Sequence, residues 1–214
     1  MERGLFVTFE GGEGAGKTTL IEQMASQLAA EGRPVLKTRE PGGTKLGEHV
    51  RQLLLQHSQD AIPIEAHAEL SLFLASRAQH ILEVIKPALS AGKIVLCDRF
   101  NDSSVAYQGA ARGLGVKKVA ECCDFISQGL QPNLTLYLDI DPELGLNRAK
   151  KSRASQDRIE SETLAFHTKI REAYLSIWKE HPHRFHLLNA ALPPESVFSE
   201  AMKLIQPLLA IHHV

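Results

Sequence analysis

The sequence of 214 residues predicts an α/β fold, a parallel sheet with helices on both of its faces. Five short apolar segments are typical of buried strands, and each is followed by a turn or by a longer segment with helical periodicity. This alternation favours parallel strands that are connected through helices. The predicted strands are GLFVTF at residues 4–9, PVLKT at 34–38, KIVLCD at 93–98, LTLYLDI at 134–140 and RFHLLN at 184–189.

A glycine-rich loop directly follows the first predicted strand. Residues 11–19 read GGEGAGKTT, in which Gly11, Gly16, Lys17 and Thr18 match the pattern G-x-x-x-x-G-K-[ST]. In this pattern backbone N–H groups converge on phosphate oxygens, the lysine reaches the outer phosphates and the hydroxyl faces Mg²⁺. The predicted nucleotide-binding residues are Gly11, Gly12, Glu13, Gly14, Ala15, Gly16, Lys17, Thr18 and Thr19.

The segment after the loop is predicted to be a helix that ends at Gly32. Its apolar residues Leu20, Ile21, Met24 and Leu28 form one stripe at helical spacing. The loop therefore runs from a strand into a helix N-terminus, which is the context that a phosphate site needs. A chance match or a degenerate loop is the alternative.

Two charged residues are expected close to this phosphate site. Glu13 lies inside the loop, where a carboxylate is unfavourable unless it meets a cation or a substrate hydroxyl. Arg39 belongs to TREPGGT at residues 38–44, between the second predicted strand and a Pro-Gly-Gly turn, so it is placed at the binding edge of the sheet. A structural turn with a surface arginine would look similar.

Residues 65–91 have a helical pattern, with a break or kink expected at Pro87 and an end at Gly92. Phe73 and Arg77 lie four residues apart in this segment and therefore share one helical face. Such a phenylalanine is often part of the core, but an aromatic plane beside a guanidinium also suits a base with a phosphate attached.

The third predicted strand ends at Asp98, so its carboxylate is expected at the edge of the sheet where ligands of parallel sheets bind. An acidic residue there can support Mg²⁺, or it can cap the next turn. Arg99 can face an anionic substrate or pair with a neighbouring carboxylate. Ser104, Tyr107 and Gln108 follow in the same segment, which reads either as a loop at the active edge or as a surface turn.

The overall composition excludes several classes of protein. With 24 basic and 25 acidic residues the net charge is -1, which indicates neither a nucleic acid nor an anionic membrane as a partner. The three cysteines form no C-x-x-C pair, so neither a zinc site nor a disulfide framework is predicted. No apolar run reaches the roughly 18 residues that span a bilayer, and we predict one soluble, cytoplasmic domain over residues 1–214.

Several of these segments together resemble thymidylate kinases of the bacterial type. The resemblance runs in order from about residue 5 to residue 189 and rests on EGGEGAGKTT, TREPGGT, FLASRAQ, DRF with AYQGAARG, and LTLYLD. It implies the phosphate-loop nucleoside-monophosphate-kinase fold, with a five-stranded parallel sheet flanked by helices. It also implies ATP and Mg²⁺ as cofactors, dTMP as substrate and a homodimer that buries helices between residues 44 and 91.

The resemblance further implies a role for individual residues. Carried over by position, Phe73 stacks on thymine, Glu13 lies near the sugar 3′-hydroxyl and Tyr107 packs beneath the deoxyribose. The residues implied to contact the acceptor phosphate are Arg39, Arg77 and Arg99, and those implied to contact the base are Ser104 and Gln108. Thr18 and Asp98 are the predicted metal-binding residues.

The resemblance also implies a short basic lid at about residues 148–160. In the bacterial subgroup the lid supplies a catalytic arginine that the phosphate loop lacks. Here that residue is predicted to be Arg153, with Lys151 as the alternative, and Lys17 and Arg99 complete the predicted catalytic set. Another nucleoside-monophosphate or deoxynucleoside kinase of this fold is an alternative; a guanine switch is disfavoured because neither N-K-x-D nor D-x-x-G occurs.

Overall fold

A computed structural model describes residues 4–56, 63–152 and 157–212. All five predicted strands are present, and they form one parallel sheet with the order β2-β3-β1-β4-β5. The predicted α/β class and the predicted five-stranded sheet are therefore confirmed. The strands are Leu5–Gly11 (β1), Val35–Arg39 (β2), Ile94–Asp98 (β3), Leu134–Asp139 (β4) and Phe185–Asn189 (β5).

The register of the strands gathers polar residues at one edge of the sheet. Asp98 at the end of β3 lies beside Phe9 of β1 and beside Arg39 of β2. Gly11, which opens the phosphate loop, pairs with Leu138 of β4. Because the strands are parallel, their carboxyl ends meet at this edge, and the candidate site begins there.

Helices cover both faces of the sheet and connect its strands. Their bounds are Lys17–Ala30 (α1), Lys45–Leu55 (α2), Ala66–His80 (α3), Lys86–Ser90 (α4), Asn101–Ser104 (α5), Val116–Ser127 (α6), Pro142–Ser152 (α7), Leu164–Glu180 (α8) and Pro194–His212 (α9). Among the described residues, no helix is both long and apolar enough to cross a membrane.

The predicted irregularity near Pro87 takes the form of a π-helical turn. Ile81–Ile85 has π-helical geometry and joins α3 to α4, directly before the proline. A proline has no N–H to donate within a helix, so the backbone around it must depart from regular α geometry. Gly92, with φ of 75°, follows the end of α4 as predicted. A second π-helical stretch, Val105–Ala111, carries Tyr107 and Gln108.

The core lies on both sides of β1 because successive side chains of a strand point to opposite faces. Leu5, Val7 and Phe9 pack with the apolar faces of α1 and α9. Phe6 points the other way, towards the π-helical turn before α4 and towards the ring of Phe100, whose centroid is 5.0 Å away. Each fully buried side chain of this size contributes about 1.5–3 kcal/mol to folding, so β1 is firmly held and gives the loop after it a fixed base.

Candidate active site

A cavity of about 510 Å³ opens at the carboxyl edge of the sheet, and most of the predicted site residues line it. The predicted residues on its wall are Glu13, Gly14, Gly16, Lys17, Thr18, Thr19, Arg39, Phe73, Arg77, Asp98, Arg99, Ser104, Tyr107 and Gln108. Arg153 lies outside the described residues. Segments more than 90 positions apart in the sequence thus meet around one space of ligand size.

The phosphate loop leaves the N-terminus of α1 open towards this cavity. Gly16 precedes the helix with φ of 92° and provides no side-chain cap, and the first turn contains no acidic residue. The free N–H groups of a helix N-terminus attract anions. Lys17 is 8% exposed, and its Nζ donates hydrogen bonds to the carbonyl oxygens of Gly11 (3.1 Å) and Gly12 (3.0 Å). The ammonium group is therefore held over the loop.

Close packing fixes the middle of the loop. Gly14 has φ of 66°, and a Cβ at this position would collide with the carbonyl oxygen of Gly145 in α7. A Cβ on Gly145 would in turn collide with the carbonyl oxygen of Glu13. The two glycines let α7, the helix that leads into residues 153–156, lie directly against the phosphate loop.

Asp98 and Thr18 provide oxygen atoms that fit Mg²⁺. The Oδ1 atom of Asp98 is buried and has no hydrogen-bond partner among the described residues. The Thr18 side chain is exposed at the start of α1, and both residues line the cavity. The described residues contain no group of three or more His, Cys, Asp or Glu side chains arranged to hold a metal. This donor set suits Mg²⁺, which keeps several waters and takes phosphate oxygens as further ligands.

Arg99 is held in an uncommon backbone conformation beside the loop. Its φ is 71°, a left-handed conformation that costs an L-residue on the order of 1–2 kcal/mol. Its Nη2 donates to Glu13 Oε1 at 2.8 Å, and its guanidinium carbon lies 4.8 Å from the centre of the Tyr107 ring. The predicted alternative of pairing with a carboxylate is thus realised without moving Arg99 away from the cavity.

The same contacts settle how Glu13 tolerates a phosphate loop. Burial alone would raise the pKa of Glu13. The charges of Arg99 and Lys17 and a hydrogen bond from the Tyr107 hydroxyl at 3.1 Å lower it by more than burial raises it, so the pKa falls below its usual value. Glu13 is therefore an ionised carboxylate with two cationic neighbours. It also fixes the Tyr107 ring at the floor of the cavity.

Arg77 has a different environment from the other predicted arginines. Its side chain is 1% exposed, and its Nε donates to Glu40 Oε2 at 2.7 Å. Its Nη1 donates to Ser104 Oγ at 3.0 Å and its Nη2 to the carbonyl oxygen of Phe100 at 3.0 Å. Because Glu40 already neutralises its charge, Arg77 is less suited than a free arginine to hold a phosphate dianion.

One part of the cavity wall combines an aromatic ring with polar side chains. Phe73 is half-buried and lines the cavity rather than lying wholly in the core. Gln108 is 2% exposed, and Ser104 is 1% exposed beside Arg77. An aromatic face with a hydroxyl and an amide next to it can stack on a base and form hydrogen bonds to its edge.

Comparison with known proteins identifies the family. The model of the family described as "Thymidylate kinase" matches residues 9–201 of the chain. The chain belongs to the thymidylate kinase family. It is therefore a phosphotransferase, and the expectation drawn from the sequence resemblance is confirmed.

Individual members of the thymidylate kinase family are similar over nearly their whole length. The thymidylate kinase of Protochlamydia amoebophila is 50% identical over 210 residues, which cover 95% of this chain and 93% of that protein. The one from Bacillus velezensis is 44% identical and covers 96% of this chain and 97% of that protein. The crystal structure of thymidylate kinase from Ehrlichia chaffeensis matches with a TM-score of 0.78 at 32% identity, covering 95% and 99% of the two chains.

Arg51 also lines the cavity of this thymidylate kinase family member, although no sequence motif marks it. It lies on α2, and its Nη1 donates to the carbonyl oxygen of Pro41 at 3.1 Å. Burial lowers its pKa, and the neighbouring positive charge of Arg39 lowers it further. Glu48, which pairs with Arg39, acts in the opposite direction. Two guanidinium groups on the wall of one cavity suit an anion such as a phosphate.

Glu10 is a second functional candidate that sequence reasoning missed. It is fully buried at the end of β1 and accepts hydrogen bonds from the Phe100 N–H (2.8 Å), Ser103 Oγ (2.5 Å) and the Tyr174 hydroxyl (2.8 Å). These contacts hold the turn that follows Arg99. Burial, with a smaller contribution from Asp102, raises the pKa of Glu10 from 4.5 to about 7.

A raised pKa makes Glu10 a source of pH-dependent stability. The folded protein retains a proton on Glu10 that the unfolded chain has lost, so Glu10 destabilises the fold progressively as the pH rises from 4.5 to about 7. The loss should reach about 3 kcal/mol and then level off. Urea denaturation of the wild type and of Glu10→Gln between pH 5 and 8 measures it. The free energy of unfolding of the wild type is expected to fall relative to that of the variant across this range. If it stays constant or rises relative to the variant, the assignment is contradicted.

Proposed function

We propose that this protein transfers the γ-phosphate of ATP to dTMP, giving dTDP and ADP. One observation carries the proposal: three features meet in one cavity. They are a phosphate loop without a side-chain cap, two oxygen donors for a metal, and a group of arginines beside an aromatic face. The first two elements suit a nucleoside triphosphate. The others suit a second nucleotide that brings its own phosphate.

The donor is assigned to the loop end of the cavity. The N–H groups at the start of α1 and the Lys17 ammonium would bind the phosphates of ATP, which requires Lys17 to turn from the carbonyl oxygens that it contacts now. Thr18 and Asp98 would hold Mg²⁺, which neutralises charge on the phosphates when bound. Asp98 Oδ1, buried without a partner among the described residues, supports this assignment.

The acceptor dTMP is assigned to the rest of the cavity, with its phosphate towards the loop. Arg39, Arg51 and Arg99 line the cavity, and we assign the dTMP phosphate to the space between them and the loop, within reach of the transferred group. Arg39 has its partner Glu48 at the surface, with side chains 51% and 44% exposed, so this ion pair can open at little cost. Glu13 is assigned to the sugar hydroxyl.

The base is assigned to Phe73, with Tyr107 beneath the sugar. Ser104 and Gln108 are assigned to the polar edge of the base, as the resemblance implies. Because Glu40 neutralises Arg77, we assign Arg77 to this end as a support for Ser104 and not to the phosphate. This assignment differs from the sequence-based expectation for that one residue.

Phosphoryl transfer needs alignment and charge neutralisation more than covalent chemistry by the protein. The acceptor oxygen of dTMP is already ionised, so it needs little help from a general base. This distinguishes the proposal from a deoxynucleoside kinase, in which Glu13 would have to remove a proton while it is held by Arg99 and Tyr107. The catalytic roles of Arg153 or Lys151 in the lid stay sequence predictions.

The homodimer and the cytoplasmic location also stay predictions. The three leucines Leu46, Leu53 and Leu82 lie on the segment implied to form the dimer interface and are 46%, 36% and 55% exposed. Exposed apolar side chains in one segment support an interface there. Sedimentation equilibrium of the wild type would give the mass of the assembly directly.

A panel of acceptors tests the proposed reaction. ADP release from ATP and Mg²⁺ is measured with dTMP, dUMP, UMP, dCMP, AMP and thymidine as separate acceptors. We expect dTMP to give the highest kcat/KM, and dUMP to be lower by roughly 10- to 200-fold because one methyl group distinguishes the two. Turnover with thymidine in place of dTMP would overturn the acceptor assignment, and ADP release that needs no acceptor would overturn the kinase reaction.

A further inference from the structure

Glu69 is a buried carboxylate beside the cavity to which no role has been assigned so far. It lies on α3 and is 1% exposed. Its Oε1 accepts from Gln108 Nε2 at 2.9 Å and from Arg112 Nε at 3.2 Å. Its Oε2 accepts from Arg112 Nη2 at 3.2 Å and from Arg158 Nη2. One carboxylate thus joins α3, the π-helical stretch that carries Gln108 and the described end of the predicted lid.

The two arginines keep Glu69 ionised. Burial raises its pKa, but the hydrogen bonds from Arg112, Gln108 and Arg158 outweigh burial and lower the pKa below its usual value. An ionised carboxylate only accepts hydrogen bonds, so the amide of Gln108 must turn its NH₂ group towards Glu69. The orientation of this amide follows from the chemistry of its partner.

The other end of the Gln108 amide is available to a ligand. Gln108 lines the cavity together with Tyr107 and Phe73, and it is 2% exposed, so its side chain has little room to leave this position. Only an exchange of its amide O and NH₂ groups, which have nearly the same shape, would change what it presents to the cavity. With Nε2 bound to Glu69, the carbonyl oxygen Oε1 is the atom left for a bound base. The site then presents an acceptor, which a base edge must meet with a donor.

We propose that Glu69 is a positioning residue. It orients Gln108 so that the site proposed for the dTMP base selects pyrimidines carrying a hydrogen on N3. Thymine and uracil have this N–H donor, whereas cytosine has a lone pair on N3 and meets the Gln108 oxygen with a second acceptor. This inference rests on the proposed function, because it places the base beside Phe73. According to this inference, Glu69 controls the discrimination between oxo and amino pyrimidines through Gln108, without contacting the substrate itself.

The substitution Glu69→Gln tests the proposal because it can turn the Gln108 amide over, so that its NH₂ group and its carbonyl oxygen exchange places. In the variant, two arginine donors at the Oε2 position compete with one, Arg112 Nε, at the Oε1 position, so the new carbonyl oxygen is favoured at Oε2. This puts the new NH₂ group at the Oε1 position, facing Gln108. Gln108 would then turn its own carbonyl oxygen to residue 69 and its NH₂ group to the cavity. We therefore expect kcat/KM to rise for a nucleotide whose base has a hydrogen-bond acceptor at N3 and to fall for dTMP.

The readout is the ratio of kcat/KM for dTMP to that for 5-methyl-dCMP. These nucleotides have the same methyl group and differ only in the hydrogen-bonding groups at N3 and C4. We expect the wild type to favour dTMP by on the order of a hundredfold or more, and the ratio to fall by on the order of tenfold in Glu69→Gln. The ratio of dTMP to dUMP, which reports on the methyl group, is expected to stay the same.

Glu162→Gln is the matched control. Glu162 contacts Arg112 Nη1, as Glu69 contacts Arg112, but it makes no hydrogen bond to Gln108 within the described part of the chain. It therefore loses the same charge from the same network and should keep the wild-type ratio of dTMP to 5-methyl-dCMP. A merely structural weakening of the network would move both variants together.

The possible outcomes separate this inference from the proposed function. Wild-type enzyme that phosphorylates dTMP but treats 5-methyl-dCMP equally overturns the inference alone, whereas no turnover of dTMP overturns the proposed function. An unchanged ratio in folded Glu69→Gln also overturns the inference. If this variant does not fold, Glu69→Asp replaces it, because aspartate keeps the charge for the arginines and withdraws the carboxylate from Gln108; its ratio is then expected to fall, and an unchanged one counts against the role.

Discussion

Replacing Lys17 with methionine is expected to lower kcat by on the order of a thousandfold. Lys17 Nζ lies on the carbonyl oxygens of Gly11 and Gly12, at the open N-terminus of α1. In the proposed reaction this ammonium meets the phosphate oxygens on which negative charge changes during transfer. Methionine has similar length and volume but no charge, so it removes the electrostatic interaction and leaves the packing of the loop.

The same substitution is expected to leave the stability of the protein unchanged or slightly higher. Burial is the main cause of the lowered pKa of Lys17, which means that the charged form is unfavourable in the folded protein. Removing that charge therefore costs the fold little. Coupled ADP-release kinetics give kcat, and thermal unfolding reports the fold.

Lys37→Met is the control for this measurement. Lys37 lies on β2, its ion pair with Glu22 is at the surface with side chains 46% and 56% exposed, and it does not line the cavity. Its replacement is expected to keep kcat within about twofold, since exposed ion pairs contribute little. Near-normal turnover in a folded Lys17→Met variant would remove Lys17 from the catalytic set.

The sequence predicted the sheet and the edge at which the cavity opens because both depend on local patterns. Short apolar segments between turns are enough to place five buried strands, and residues at the ends of parallel strands must meet at one edge. The glycine pattern places the loop on the first of these ends. Asp98 and Arg39 follow from the same rule, since Asp98 ends one predicted strand and Arg39 directly follows another.

The buried carboxylates could not be predicted in the same way, because their partners are distant in the sequence. Glu40 pairs with Arg77 across 37 positions, and Glu69 meets Gln108 across 39. A sequence shows an acidic residue but not whether it is buried or which cation it meets. Glu10 offered one local signal, since an acidic residue directly after the apolar run LFVTF must be either exposed or held by donors.

The conformation of Arg99 and the state of Arg77 illustrate the same limit. A positive φ at a residue other than glycine leaves no trace in the sequence, although here it determines where the guanidinium points. The pattern that placed Phe73 and Arg77 on one helical face was sufficient to bring both to the cavity. It could not reveal that Glu40 already neutralises Arg77, because that depends on how the turn after β2 packs against α3.

Replacing Arg77 with methionine is expected to lower the free energy of unfolding by about 3–5 kcal/mol. The side chains of Arg77 and Glu40 are 1% and 3% exposed, so the substitution leaves a buried carboxylate without its main counter-ion. Among the residues that the structure describes, His80 still contacts this carboxylate, with its Nδ1 2.9 Å from Glu40 Oε1. Ser104 and the carbonyl oxygen of Phe100 lose their donors as well.

Urea denaturation of the wild type and the variant at one pH gives this difference. Arg39→Met is the matched control, because the pair between Arg39 and Glu48 has a similar length, 2.9 Å, but both side chains are about half exposed. Water solvates Glu48 once its partner is gone, so the control should lose no more than about 1 kcal/mol. Equal losses in the two variants would show that burial of the Arg77 pair does not determine its contribution.

A double variant identifies the cause of the loss at Arg77. If the cost comes from an unpaired buried charge, then Glu40→Gln added to Arg77→Met should restore part of the stability, because a neutral amide is less costly to bury than a carboxylate. If the cost comes from the space left by the guanidinium, the second substitution should lower stability further, since it also weakens the contact with His80. The sign of the stability change on adding Glu40→Gln to Arg77→Met therefore decides whether electrostatics or packing makes Arg77 necessary.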